Sequence, residues 1–390
     1  MKTIKTEAYV LYKSPTDDGS GTHQGGALSL EEYTFPDINE QEVLAEPVYG
    51  CWEGNMDHAL RRHPVDVCQQ RREEKVVIGN SGLVRIVKTG KKVTSVKEGD
   101  YCFVFPNGVW DDLGFTKKVY AYDAPHTIGL LAKKTKIHEK GVIPIPKNSY
   151  FSLKQWACFS IRYVTAWANW KAAYGCFRAV LPPEECPRPF VWGWGGGTTL
   201  AELELSKHYG CSAAMISSTE ERLDLIRQKG ITPIDRRNFM NLSFDEKRYQ
   251  IESGYKKEYQ DAEEAFLQIV KEHTQGKGIS IFIDFLGLPV IRASLKALAC
   301  PGVLATAGWK AGMRVSHFRA IECMNWHMHV HTHYARYNDG LEAARFAEER
   351  GWMPEVNDHV YPWEDIPRLA MDYTQEKTST YFPLFSVNPV

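Results

Sequence analysis

The 390-residue chain has no Cys-x-x-Cys pair, no apolar run of membrane-spanning length and no excess of either charge. Nine cysteines, an odd number, argue against a disulfide framework, and the missing paired spacing argues against a closed structural zinc site. Most are read as buried thiols. With 47 Lys and Arg against 48 Asp and Glu, the chain has no basic surplus to hold a nucleic acid or an anionic membrane. The segment from Met1 to Glu7 leads into no apolar run of signal length, so a soluble cytoplasmic protein is the expectation. No internal repeat or low-complexity segment is evident.

What the chain has is a glycine-rich turn. A short apolar run from Pro189 breaks into Trp192-Gly193-Trp194-Gly195-Gly196-Gly197-Thr198-Thr199 and then into a helical pattern. Glycines at these positions remove β-carbons, letting the backbone approach a pyrophosphate and aim helix N-terminal amides at it. Leu200 with Leu203 and Ala201 with Leu205 give the helix an apolar side, and Gly210 ends it. Ser212 to Ile216 reads as a second strand. Ser218 with Glu221 forms a capping box for the next helix, Gly230 closes that helix, and Ile231 to Asp235 is a third strand. Strand, glycine turn and helix in this order suit a dinucleotide.

The end of the second strand selects the cofactor. An NAD site keeps an acidic residue there for the ribose 2′-hydroxyl, whereas this chain has Ser217, Ser218 and Thr219, with Arg222 one turn on. Hydroxyls with a cation suit a 2′-phosphate, which points to NADPH; the alternative is that Ser218 only caps the helix and Arg222 only faces solvent. Arg236 and Arg237, after the third strand, are further candidates for that phosphate.

The first 150 residues read as β-rich, with apolar runs at Glu42 to Val48 and Leu83 to Val87 and a Lys97-Glu98-Gly99-Asp100 turn before a strand from Tyr101 to Phe105. A helical, aromatic-rich stretch from Tyr150 to Tyr174 bridges into the nucleotide domain. That domain continues through a buried-type strand at Ile279 to Asp284, a helix at Val290 to Ala299 and a fifth strand at Val303 to Ala307. Phe285-Leu286 and Ala307-Gly308, just past the fourth and fifth strands, are taken as cofactor contacts. Residues 238 to 265, polar and without β-branched runs, read as a surface insertion. The proline-bearing last forty residues are expected to fold back on the first domain.

This order of parts resembles the medium-chain dehydrogenase/reductase superfamily. Gly82 to Gly90 with Val96-Lys97-Glu98-Gly99-Asp100 is similar to its strand before a Gly-Asp turn, Thr165-Ala166-Trp167 to its stretch beside the nicotinamide, and Ser218 to Arg222 to its NADPH-type strand end. The resemblance implies an α/β fold: a GroES-like β-rich catalytic domain over 1–160 and 345–390, and a Rossmann doubly wound parallel-sheet NADPH-binding domain over 161–344. It also implies a homodimer or tetramer. Thr199 departs from the pattern, standing where the third glycine of the fingerprint belongs.

Zinc-dependent members carry a metal on a Cys, a Gly-His-Glu motif and a later Cys or Glu. Here Cys51 stands near the first position, Gly79-Asn80-Ser81 replaces the motif and Ile161 falls at the last. One thiolate cannot hold a catalytic zinc, so no metal is expected, and reduction of a polarised C=C or C=O is favoured over alcohol oxidation. Ile234-Asp235-Arg236 with the following insertion, and Thr332-His333-Tyr334-Ala335-Arg336-Tyr337-Asn338-Asp339-Gly340-Leu341-Glu342-Ala343, resemble crotonyl-CoA carboxylase/reductases and related enoyl-thioester reductases. That resemblance implies a CO2-contacting role for His333 and Asn55.

For such a reaction Asn55 can donate an amide hydrogen bond and Thr165 a hydroxyl bond near the nicotinamide, while His333, Glu53, His58 or a tyrosine such as Tyr120 can supply a proton. Arg61, Arg62 and His63, or Arg314, His317 and Arg319, are candidates for the phosphates of CoA or of an acyl carrier. Trp52, Trp110, Trp309 and Trp326 are candidates for an aromatic pocket. His327, His329, His331 and His333 alternate, which puts four imidazoles on one face of a strand; a polar face where subunits pair is preferred there to a metal site. The expected function is NADPH-dependent, zinc-independent reduction of the C=C of an α,β-unsaturated thioester or carbonyl, with carboxylation left open, on a small-molecule or thioester substrate. The alternatives are a carbonyl or quinone reductase, and a non-catalytic NADPH-binding module.

Overall fold

The computed structural model describes residues 2–14, 26–308, 310–311, 319–332 and 335–390, the side chains of 319 and 320 excepted. The chain forms two compact units, residues 1–164 with 335–390 and residues 165–334.

The first unit opens with β1 (Thr3–Tyr12), β2 (Leu28–Pro36), β3 (Glu42–Cys51), α1 (Gly54–Arg61), α2 (Val67–Arg71) and β4 (Lys75–Val76). There follow β5 (Gly82–Thr89), β6 (Tyr101–Val104), β7 (Asn107–Trp110), β8 (Thr116–Val119), β9 (Thr135–His138), β10 (Val142–Pro144) and the start of α3 (Leu153–Val180). A three-stranded sheet runs β2-β1-β4, with Thr3 opposite Pro36 and Leu11 opposite Leu28. The strand at the centre of the larger sheet is β3. It pairs with β5 and β9, and Val43, Ala45, Val84, Ile86, Val104 and Ile137 bury around it. α3 breaks at Ser160, whose backbone is non-helical and whose hydroxyl donates to the Val104 carbonyl at 2.7 Å.

The second unit holds β11 (Phe190–Trp194), α4 (Gly197–His208), β12 (Ser212–Ser217), α5 (Glu220–Gln228), β13 (Thr232–Asp235), α6 (Glu246–Ile251) and α7 (Ser253–His273). It continues with β14 (Ile279–Asp284), α8 (Ile291–Ala297), β15 (Leu298–Thr306), α9 (Arg319–Met324) and β16 (Met328–His331). All six strands are parallel, in the order β13-β12-β11-β14-β15-β16. This is the doubly wound order, with its reversal between β11 and β14. The surface insertion expected over 238–265 is corrected here. Most of it is helix: α7 places Tyr259, Ala262, Phe266 and Val270 in the core beside Trp194 and Phe282. Those four recur at helical spacing, which polar neighbours mask in composition.

The chain then returns to the first unit through α10 (Tyr337–Arg350), β17 (Val360–Tyr361), α11 (Ile366–Thr374) and β18 (Leu384–Ser386). β18 lies antiparallel to β3, Leu384 opposite Cys51. The return begins ten residues before the boundary expected at 344/345. α10 lies close against the first unit's sheet there: a β-carbon on Gly340 would sit 2.6 Å from the Ile143 Cδ1 methyl and 3.1 Å from the Phe105 ring. Tyr337 adds a hydrogen bond to the Val142 carbonyl at 2.9 Å.

α4 is buried along most of its length, Leu200, Ala201, Leu203 and Leu205 included. Glu202 is buried with them, neither oxygen has a hydrogen-bond partner among the described residues, and burial alone pushes its carboxyl well above the usual range. A folded-state value raised above the unfolded one means the stability is full at low pH and is lost as pH climbs from the unfolded value toward the folded one. Wild-type protein should therefore lose thermal stability as pH rises from the ordinary carboxylate range toward the raised folded-state value, each unit of elevation being worth ~1.4 kcal/mol. Glu202→Gln should lose less over that interval. Parallel melting curves with identical pH slopes would refute a buried, protonated Glu202.

Candidate functional site

In the second unit the site is built where β11 stops. Gly196 is the N-cap of α4 and no side chain caps the helix, so its first-turn amides are left to face a ligand. Gly195 has φ +151°, and a β-carbon there would meet Thr199 Oγ1 at 2.2 Å and Phe285 at 3.1 Å. Around Gly196 the space is open to 4 Å. Gly197 begins the helix, with Thr198 half-buried and Thr199 fully buried behind it. Thr199, in place of the third fingerprint glycine, is accommodated by the strand: its Cγ2 occupies the space at 2.7 Å that a β-carbon on Gly193 would need. The close approach of helix and strand is kept with the glycine on the other partner.

Register brings the other expected residues to the same edge. Trp194 pairs with Asp284, Ile216 with Ile234, and Ile283 with Ala305, so β11, β12, β13, β14 and β15 end in one row. Ser217 closes β12 and is buried; Ser218 and Thr219 are exposed. The capping box expected for Ser218 and Glu221 is not formed. The N-cap is Thr219, one residue later, and its side chain makes no capping bond. Arg222 and Arg236 are half-buried, while Arg237 is held by Asp235 at 2.6 Å and Glu220 at 2.9 Å. Beyond β14, the Asp284 carboxylate accepts the amides of Leu286 and Gly287 at 2.9 and 2.8 Å and the Ser294 hydroxyl at 2.8 Å. That fixes the Phe285-Leu286 turn, whose carbonyls accept the Lys310 and Ala311 amides. Ala307 and Gly308 follow β15, with the Gly308 amide bonded to Thr306 Oγ1 at 3.1 Å. Thr165, on α3, is half-buried. A cradle without β-carbons, an uncapped helix start and a row of strand ends fit a dinucleotide.

In the first unit β3 runs into α1 through Cys51, Trp52 and Glu53. The Cys51 amide donates to the Ser81 carbonyl at 3.0 Å and the Trp52 amide to the Pro383 carbonyl at 2.9 Å. Glu53, expected as a proton source, is the N-cap: its oxygens accept the Asn55 amide at 3.0 Å and the Met56 amide at 3.3 Å. Burial raises its carboxyl above the usual value, the two amides opposing. Asn55 is half-buried on the first turn of α1, and its side chain has no hydrogen-bond partner among the described residues. Arg162, on α3, donates from Nη1 to Cys51 Sγ at 2.9 Å and from Nη2 to the Trp52 carbonyl at 2.5 Å. Nothing in the sequence signalled that pair, whose members lie 111 residues apart.

Several expected side chains prove to be structural. The Tyr120 hydroxyl is bound to the Ile128 carbonyl and to Thr135 Oγ1 in the core, which removes it as a proton donor. Arg62 is buried against Asp66 at 2.7 Å and the Tyr12 carbonyl at 2.6 Å, and Arg61 pairs with Asp57 at 2.8 Å. Trp52 is wholly buried, Trp110 packs on His138 at 4.9 Å and Trp326 is exposed. His333, Tyr334, Trp309, Arg314 and His317 lie outside the described residues. β16 is the sheet edge, with the His329 and His331 rings 6.0 Å apart and His329 Nε2 3.6 Å from Glu322. Among the described residues no three His, Cys, Asp or Glu side chains converge as a metal site.

The residues at the position of a catalytic zinc do not fit one. Asn80 and Ser81 are buried with side-chain atoms that have no hydrogen-bond partner among the described residues, Ile161 is apolar and buried, and the Cys51 sulfur already faces a guanidinium.

The exchange between Gly193 and Thr199 makes a stability prediction. Gly193→Ala should cost about 1–3 kcal/mol by overpacking. Thr199→Ser, which removes the offending methyl, should recover a large part of that in the double variant. Thermal unfolding of the four proteins checks it, and strictly additive losses would mean the two residues do not compete for the same space.

No family model matches the chain. A 2-methylene-furan-3-one reductase of Solanum lycopersicum is 29% identical over 215 residues, 52% of this chain and 47% of that protein. A crotonyl-CoA reductase of Streptomyces avermitilis is 24% identical over 183 residues, 47% of this chain and 39% of that protein. The match thus spans about half the length of the first curated relative and less of the second. Among solved structures, crotonyl-CoA carboxylase/reductase AntE in complex with NADP superimposes with a TM-score of 0.79 at 20% identity, covering 98% of this chain and 94% of that one. The 2-octenoyl-CoA carboxylase reductase CinF in complex with NADP and 2-octenoyl-CoA gives 0.80 at 16% identity, covering 98% and 87%. The chain thus shares the fold of these two carboxylase/reductase structures over nearly its whole length: a β-rich unit that takes back the C-terminal segment and a six-stranded doubly wound sheet.

Proposed function

We propose that the chain is an NADPH-dependent, zinc-independent reductase acting on the C=C of an α,β-unsaturated thioester or carbonyl compound. The observation that carries this reading is the carboxyl end of β12. Two exposed hydroxyls, Ser218 and Thr219, stand there beside Ser217, with neither spent on capping α5 and no carboxylate in the place an NAD site would use. Both solved neighbours above hold NADP, one of them with an enoyl-CoA, and both curated relatives are reductases.

In this reading the backbone of Gly193, Gly195, Gly196 and Gly197, with Thr198 and Thr199, receives the diphosphate on the α4 dipole. Ser217, Ser218, Arg222 and Arg236 take the 2′-phosphate. Thr165, Phe285, Leu286, Ala307 and Gly308 flank the nicotinamide, which when bound supplies the hydride. The Asn55 amide donates to the substrate carbonyl oxygen, where negative charge gathers as hydride reaches the β-carbon, and Glu53 holds Asn55 in place through the α1 cap. A proton then completes the α-carbon, leaving the carbonyl intact; His333 is the proposed contact if CO2 takes the proton's place. The substrate is a small molecule or thioester, on CoA or an acyl carrier, and the working form a homo-oligomer.

The test is NADPH consumption with crotonyl-CoA, with and without bicarbonate, and the mass of the product. A gain of two hydrogens is expected, and an added carboxylate in bicarbonate would assign carboxylation as well. Ser218→Asp should shift preference toward NADH by about tenfold, the effect of ~1.4 kcal/mol. Asn55→Ala should lower kcat by ~10²–10³ with NADPH affinity unchanged. Binding of NADPH without consumption, across enoyl thioesters, ketones and quinones, would overturn the reductase reading in favour of a non-catalytic module.

A further inference from the structure

Arg162 carries a full charge in a place where water does not reach. It is 5% exposed, its guanidinium carbon stands 5.6 Å from the Phe382 ring, and Glu53, Tyr373, Cys51 and Cys158 lie within its field. An unpaired buried cation costs several kcal/mol, so its counter-ion has to be found nearby. The Glu53 carboxylate is engaged by the Asn55 and Met56 amides. What touches the guanidinium is the Cys51 sulfur, at 2.9 Å, to which Nη1 donates. Burial pushes the Cys51 thiol up, but Cys158 and Arg162 together hold it below the ordinary value, while Cys158 itself is raised.

The pair sits where its position has consequences. Cys51 ends β3, and Trp52, whose carbonyl accepts the second guanidinium bond, leads into the cap of α1. The turn is tied to other elements by backbone bonds on its amide side, to Ser81 and Pro383, and by the two bonds from Arg162 on its carbonyl and sulfur side. Without Arg162 the Trp52 carbonyl would be buried and lose this donor, the Cys51 sulfur would keep only Cys158, and the turn would rearrange to satisfy them.

We propose that Arg162 is a positioning residue: paired with a Cys51 thiolate and with the Trp52 carbonyl, it fixes the strand-to-helix turn that presents Asn55. The inference rests on the reading of Asn55 as a substrate contact. It also gives the mismatch with a zinc site a physical form, since a guanidinium on Cys51 supplies the positive charge there and opposes a second cation.

Three readouts test it on the full-length protein. Ultraviolet thiolate absorbance of the folded protein at neutral pH should fall by one thiolate in Cys51→Ser, fall likewise in Arg162→Met and be retained in Arg162→Lys. Amide exchange at Asn55 and Met56 should quicken by about tenfold or more in Arg162→Met and return toward wild type in Arg162→Lys. With crotonyl-CoA, Arg162→Met should lower kcat while leaving KM for NADPH within about twofold, and Arg162→Lys should restore part of it. Equal thiolate absorbance in wild type and Cys51→Ser would overturn the ion pair. Unchanged exchange at Asn55 and Met56 in Arg162→Met would overturn the positioning role. Should Arg162→Met fail to fold, Cys51→Ser decides the pair and exchange in Cys51→Ser and Arg162→Lys decides the positioning. The first two readouts need no turnover, so a wild type inactive toward every acceptor would end the reductase reading without deciding this one.

Discussion

Everything the second unit offers a ligand depends on one steric constraint: α4 must begin where β11 ends, with no side chain between them. A β-carbon on Gly193 or on Gly195 would come within 3 Å of the Thr199 side chain. Close packing at that point fixes the direction of α4, and with it the direction of the helix dipole and of the uncapped amides. The parallel register does the rest. Once β11 is placed, β12, β14 and β15 must end beside it, so Ser217 and the turns at Phe285 and Ala307 are carried to the same edge by backbone hydrogen bonds alone. A binding edge of this kind needs few special residues, because the sheet has already done the positioning.

The first unit solves its corresponding problem with charge. The turn between β3 and α1 is sealed under Trp52 and the C-terminal strand, out of reach of water, so each ionisable group in it has to be answered by protein. Glu53 is answered by two amides, and Asp284 in the other unit by two amides and a hydroxyl. In both cases a carboxylate ties down the backbone of a following turn. Arg162 is the cationic counterpart, tying down a carbonyl and a sulfur. Glu202 is the exception: neither of its oxygens has a hydrogen-bond partner among the described residues, and burial alone pushes its carboxyl up.

Features that are local in sequence were legible before the structure. The fourth strand of the second unit spans Ile279–Asp284 as its apolar run indicates, and the glycine turn before α4 was recognisable because strand, turn and helix are contiguous. Misreadings came where a local rule met a tertiary one. α7 was missed because charged residues surround its stripe of Tyr259, Ala262, Phe266 and Val270, whose burial comes from a sheet built elsewhere in the chain. The α5 cap fell one residue late because Ser218 and Thr219 are equally good caps by type. Tyr120 looked like a proton donor until the fold gave its hydroxyl two core partners. The pair of Cys51 and Arg162 has no sequence signature at all, since only the packing of α3 against β3 brings guanidinium to sulfur.

The solved neighbours share this fold at 16–20% identity, so most positions are held only to a pattern of burial and not to a residue type. Where a residue type is fixed by physics, the requirement can still move between partners, as Gly193 and Thr199 demonstrate: the contact needs one small residue, and either side can provide it. The same logic bears on Cys51. A cysteine near a metal position is easily taken as the remnant of a metal site, yet what a buried thiolate requires is a neighbouring positive charge of any kind. Arg162 meets that requirement from within the chain, and unlike a spherical cation a guanidinium is planar and carries donors in fixed directions, so it can hold the sulfur and the Trp52 carbonyl at once. The presence of Cys51 is therefore explained by the geometry of the turn it ends, and it carries no information about a metal.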